Sequence, residues 1–133
     1  MEIVRLPIEN HRDSTGLLSA TNLSIPGFLT KRIYLVSDAP VNVSRGFHAH
    51  RNLEQIFWAI NGDVELFLHD GKVSERVVLV PNAEALFLPA GIWREFKMLS
   101  TGASLLVAAN QEYDECDYIR DFEKFLEWKK NGK

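Results

Sequence analysis

The stretch RGFHAHRNLEQIFWAING, residues 45–62, decides how this chain folds. It sets His48 and His50 two residues apart, then runs through the apolar segment IFWAI into an Asn-Gly turn. Alternate residues of a strand share a face, so the two imidazoles point together and Phe47 points away. Such a pair has three uses: it holds a metal, it moves protons, or it sits solvated on an edge strand. If the shared face is interior, unpaired polar groups there are costly, and a functional use is favoured.

Outward from this stretch, short apolar runs recur with turn signals between them. RIYLV (32–36), EQIFWAI (54–60), VELFLH (64–69), ERVVLV (75–80), EALFLP (84–89) and ASLLVAAN (103–110) are rich in β-branched and aromatic residues and read as strands. Asn61-Gly62 and Asp70-Gly71 read as tight hairpin turns, where positive φ is needed. Evenly spaced strands of this kind predict an all-β antiparallel sandwich or barrel. In the N-terminal 30 residues, GLLSA (16–20) is a candidate strand and SIPGF (24–28) a turn or extended crossing. Only DYIRDFEKFLEWKK (117–130) carries a helical stripe, with acidic residues early and lysines late to suit the helix dipole.

The totals bound the function. A length of 133 residues suits a single domain over 1–133 with one core. A net charge of −3 offers no general attraction to nucleic acid or to an anionic membrane. Cys116, alone, makes no internal disulfide and fits a reducing compartment. The opening MEIVRLPIENHRD lacks the apolar run of a signal peptide, and no run approaches the roughly 20 residues that span a bilayer. The expectation is a cytoplasmic protein.

GFHAHRNLEQIFWAING resembles the first motif of the cupin superfamily, and LPAGIWRE (88–95) resembles the second, with its Pro-x-Gly turn at Pro89 and Gly91. The resemblance implies a jelly-roll β-barrel, here with a short C-terminal helix. Cupins commonly hold one metal on three histidines and a carboxylate. At the carboxylate position this chain has Gln55, and at the third-histidine position it has Arg94. A guanidinium carries fixed positive charge and offers no lone pair. The expectation is therefore no metal and no cofactor, with the histidine pair left for proton transfer near neutral pH.

The match extends further. KRIYLVSD (31–38), VSRGFHAHRNLEQ (43–55), WRE (93–95) and YDECDYIRDF (113–122) are together similar to the sugar 3,4-ketoisomerases. These cupins act on dTDP-4-keto-6-deoxyglucose, giving 3-keto sugars that feed the 3-amino-3,6-dideoxy sugars of bacterial surface glycans such as O-antigen lipopolysaccharide. The resemblance implies an isomerase and a homodimer with exchanged N-terminal segments. It implies His48 as the base at carbon and His50 as the proton shuttle near the sugar oxygens, with the two roles open to exchange. Tyr34 matches the family's tyrosine, which bonds the sugar or orients a histidine, or else is a core aromatic. Arg45 holds the diphosphate or sugar, or is a solvated turn residue. Arg94 steadies enolate charge, and Gln55 bonds a histidine or the ligand. Thr15 stands where the family brings a residue towards the sugar.

Two other residues have plainer readings. Trp93 reads as core packing in preference to stacking on the base, and Asp114 or Asp117 as a helix cap in preference to any catalytic part. The alternatives to a ketoisomerase are a metal-dependent cupin enzyme and a non-catalytic cupin that binds a nucleotide sugar.

Overall fold

The computed structural model describes residues 1–132 as two facing five-stranded sheets, a separate hairpin and one helix. The strands are β1 (Val4–Pro7), β2 (Glu9–Asp13), β3 (Gly16–Ala20), β4 (Arg32–Val36), β5 (Arg45–His50) and β6 (Gln55–Ile60). They continue as β7 (Val64–His69), β8 (Ser74–Leu79), β9 (Glu84–Leu88), β10 (Trp93–Met98), β11 (Ser104–Ala109) and β12 (Tyr118–Ile119), and α1 spans Phe122–Lys130. One sheet runs β1-β9-β6-β11-β4 and the other β12-β5-β10-β7-β8. All pairings between these strands are antiparallel.

Alternation of faces along the strands sets the core. Val64, Leu66 and Leu68 of β7 point inward against Leu105 and Val107 of β11, and Phe57, Leu86, Leu88, Phe96 and Met98 complete the same cluster. The two sheets make the cupin jelly roll but do not close into a hydrogen-bonded barrel. Side chains of this size hold facing sheets about 10 Å apart, beyond the reach of backbone hydrogen bonds.

Two turns separate by their surroundings. Asp70-Gly71 joins β7 to its neighbour β8, and Asp70 Oδ1 accepts the N–H groups of Lys72 and Val73, each at 2.9 Å. Asn61-Gly62 is not a hairpin: β6 and β7 lie in opposite sheets, so this turn carries the chain across the core. Gly62 has φ +153°, and a Cβ there would lie 2.8 Å from the Ala103 Cβ, so close packing excludes any side chain.

The C-terminal segment also departs from the sequence reading. Tyr118 and Ile119 do not begin the helix; they form β12 and pair with His50 and Ala49. Asp114 caps the 3-10 turn at Glu115–Asp117, and Asp121 caps α1 by accepting the Lys124 N–H at 3.0 Å. Phe122, Phe125, Leu126 and Trp128 then pack with Trp93, Ala49 and Ile119. Trp93 is therefore a packing residue, and its Nε1 donates to Glu95 at 2.9 Å. No helix among the described residues is long and apolar enough to cross a membrane.

Candidate active site

The histidine strand lies beside two others, and the register brings the site together. Arg94 of β10 stands opposite His48, and Tyr118 of β12 stands opposite His50. Before them the backbone kinks. Gly46 and Phe47 both have positive φ, and the β5–β10 register shifts between Arg94 and Glu95. A bulge of this kind re-aims the side chains that follow. Phe47 is exposed while His50 is fully buried, as the alternation of faces predicts.

The two imidazoles meet edge to face, with centroids 4.9 Å apart. The Tyr118 ring packs against both, 4.9 Å from His48 and 4.4 Å from His50. His48 Nδ1 lies 2.9 Å from the Gly46 carbonyl, a contact only an Nδ1–H can satisfy. His50 Nδ1 lies 3.0 Å from Asp117 Oδ2, and His50 Nε2 is buried without a hydrogen-bond partner. Burial, then the neighbouring Arg94 cation, pushes His48 down to about 4 and His50 to about 2. Both rings are thus neutral at physiological pH, so the Asp117 contact is a hydrogen bond from a neutral imidazole.

The opposite sheet supplies Tyr34 from β4 and Gln55 from β6. Arg94 is fully buried, donates through Nε and Nη2 to the Ile92 carbonyl, and donates through Nη1 to Gln55 Oε1. Gln55 Nε2 donates to the Tyr34 hydroxyl at 3.0 Å. Tyr34 therefore orients the amide rather than a histidine, and burial raises its phenol above the usual value. Burial lowers the Arg94 guanidinium only to about 10, so it stays charged.

This donor set does not fit a metal. Two imidazoles offer lone pairs, but the amide oxygen is engaged by Arg94, and a permanent cation fills the remaining position. The set instead suits proton transfer, with bare ring nitrogens beside a cation able to stabilise an oxyanion.

His48, His50, Tyr34, Gln55 and Arg94 converge as the sequence reading anticipates. Arg45 and Thr15 do not join them. Arg45 is exposed, with its guanidinium 5.9 Å over the Phe96 ring. Thr15 sits in the exposed β2–β3 turn, where its N–H and hydroxyl both bond Asp13 Oδ1. The sequence reading also missed two members, Asp117 and Tyr118. Asp117 is not a helix cap: it is buried and bonds His50. A buried acid in an otherwise polar segment carries no periodic signature, and only the pairing of β12 with β5 reveals it.

Comparison with known proteins agrees with this geometry. The family model described as "FdtA: WxcM-like, C-terminal" matches residues 1–130. The chain is 36% identical over 118 residues to the TDP-4-oxo-6-deoxy-alpha-D-glucose-3,4-oxoisomerase of Aneurinibacillus thermoaerophilus, covering 87% of this chain and 84% of that protein. It superimposes on a 3,4-ketoisomerase from Helicobacter canadensis with TM-score 0.87 at 38% identity, covering 96% of this chain and 97% of the other. It also superimposes on a histidine-to-asparagine variant of the 3,4-ketoisomerase QdtA from Thermoanaerobacterium thermosaccharolyticum, bound to TDP-4-keto-6-deoxyglucose. That match has TM-score 0.88 at 27% identity and covers 97% and 94% of the two chains. The chain, with its paired histidines on a jelly-roll strand, belongs to the FdtA family of WxcM-like proteins.

Proposed function

We propose that this protein is a sugar 3,4-ketoisomerase that converts dTDP-4-keto-6-deoxyglucose into a dTDP-3-keto-6-deoxyhexose. The observation that carries the reading is the pair of neutral imidazoles at contact distance, His50 buried and His48 half-buried, beside a buried guanidinium. The C3–H of the substrate is acidified by the adjacent C4 carbonyl. His48 takes that proton at Nε2, and the electron pair moves into an enediolate whose oxygen charge Arg94 stabilises. His50 moves the C3 hydroxyl proton to the C4 oxygen. His48 then gives its Nε2 proton to C4, which completes the 3-keto isomer and restores the neutral ring, with no net gain or loss of electrons.

Tyr34 and Gln55 hold Arg94 and the sugar oxygens in place. Arg45 and Thr15 approach the nucleotide sugar from outside the cluster, Thr15 by reaching a second subunit. The exposed β2–β3 hairpin supports a homodimer with exchanged N-terminal segments. The product supplies deoxyamino sugars for lipopolysaccharide O-antigen in the cytoplasm.

The test is to incubate chelator-treated protein with dTDP-4-keto-6-deoxyglucose and follow the sugar ring by NMR. A new 3-keto species supports the proposal, and its C4 coupling gives the product configuration. Turnover only on adding a metal assigns a metal-dependent cupin, and binding without turnover assigns a non-catalytic nucleotide-sugar binder.

A further inference from the structure

We infer that Asp117 is the positioning residue of the proton relay, fixing His50 in the tautomer that leaves Nε2 bare. This inference rests on the ketoisomerase reading above. Asp117 lies 67 positions from His50 in sequence and is brought to it by the pairing of Tyr118 with His50. Its Oδ2 takes the His50 Nδ1 contact at 3.0 Å. The carboxylate is itself held: Oδ1 accepts the Asn52 N–H at 2.7 Å, and Oδ2 accepts the Leu53 N–H at 3.2 Å. An acceptor-only group flanked by donors leaves His50 one choice, a proton on Nδ1.

The consequence falls on the other nitrogen. Nε2 then carries a lone pair, and it is the one buried side-chain polar atom without a partner among the described residues. Native structures rarely leave such an atom unsatisfied, because an unpaired buried polar group loses its hydration without compensation. Satisfaction by a substrate hydroxyl is the economical explanation. A shuttle between two sugar oxygens accepts from one and donates to the other through a single nitrogen, so that nitrogen starts bare. While it carries the extra proton the ring is an imidazolium, and the Asp117 carboxylate lies against it at Nδ1. The opposite tautomer would present Nε2–H and could not accept the hydroxyl proton.

A structural role for Asp117 is also visible, since it pins the backbone at residues 52–53. The experiment separates the two. Histidine ring nitrogens of the wild-type protein are read by two-dimensional ¹⁵N–¹H correlation at neutral pH. The expected result is a protonated His50 Nδ1 and a bare Nε2; a protonated Nε2 overturns the inference. This readout needs no turnover, so it stands even if the protein fails to isomerise the keto sugar, an outcome that would instead defeat the functional reading.

Asp117→Asn then tests the consequence. Its amide is isosteric and keeps one acceptor for the backbone. The expected loss in kcat is roughly 100-fold or more, by analogy with the wrong-tautomer effect of a carboxylate-to-amide change in a catalytic triad. KM is expected to stay within about threefold, as for a group acting on the transition state only. A folded Asp117→Asn protein with kcat within about threefold of wild type overturns the inference. If the variant does not fold, the wild-type tautomer decides.

Discussion

Arg94 on β10 donates to the side-chain carbonyl of Gln55 on β6 and ties the two sheets together within the site. These are the two positions where the cupin pattern expects a histidine and a carboxylate, and here they bond each other. Replacing the pair as Gln55→Glu with Arg94→His completes a three-histidine, one-carboxylate set with His48 and His50. Calorimetric titration should then show one-to-one zinc binding that the wild-type protein lacks. Failure to bind would mean that the four side chains do not converge.

The Arg94 cation also acts on both imidazoles, as the largest cause after burial of their lowered proton affinity. Arg94→Met keeps most of the volume and removes the charge. Both histidines should titrate higher in NMR by about one unit, equivalent to about 1.4 kcal/mol, while burial holds them below the ordinary value. Unchanged titration would place the guanidinium charge too far away to matter.

His48 packs against the Tyr118 and His50 rings, and its hydrogen-bond contact is local, to the Gly46 carbonyl. His48→Ala should lower kcat by about 10²–10⁴, the range for removing a general base. It should also stop exchange of the substrate's C3–H for deuterium in heavy water. Its thermal unfolding midpoint should stay close to wild type. An active His48→Ala protein would remove His48 as the carbon base.

The two histidines govern pH dependence in a defined direction. Both titrate below the ordinary 6.5 in the folded chain, so the unfolded chain binds protons first as pH falls. Their contribution is flat above about pH 6.5 and destabilising below it, at about 1.4 kcal/mol per pH unit for each ring. Urea midpoints between pH 8 and 5 should show the decline beginning near 6.5. Because His48 stays neutral down to about 4, kcat should hold through pH 6, unlike that of an enzyme using an unperturbed histidine.

Leu18 is 59% exposed and Leu17 38% on a hairpin that pairs with neither large sheet among the described residues. Light scattering after size exclusion should give a dimer mass, and Leu17→Asp with Leu18→Asp should shift it to the monomer. A monomeric wild-type protein would refute the exchange of N-terminal segments.

Much of this was legible in the chain itself. Runs rich in β-branched and aromatic residues, bounded by turn signals, marked β4, β7 and β11 almost to the residue. His48 and His50 were legible because side chains two apart on a strand share a face. Gln55 and Arg94 stood out by occupying positions where a metal site needs other chemistry. By contrast, β1, β2 and β10 were not marked. The inward positions of β10 include Arg94, and its outward Trp93 is buried under α1, so its pattern does not alternate apolar with polar.

What only the tertiary structure decided are relations between distant positions. Asn61-Gly62 has hairpin chemistry, but the strands it joins enter opposite sheets, a choice made by the packing of the whole core. Tyr118 and Ile119 fit a helical stripe, yet pairing with β5 outweighs one turn of helix. That pairing carries Asp117 to His50, a contact between residues 67 apart that no local pattern records. Periodicity encodes which face of a segment is buried. It does not encode which buried neighbour waits there, since that depends on how all the strands assemble.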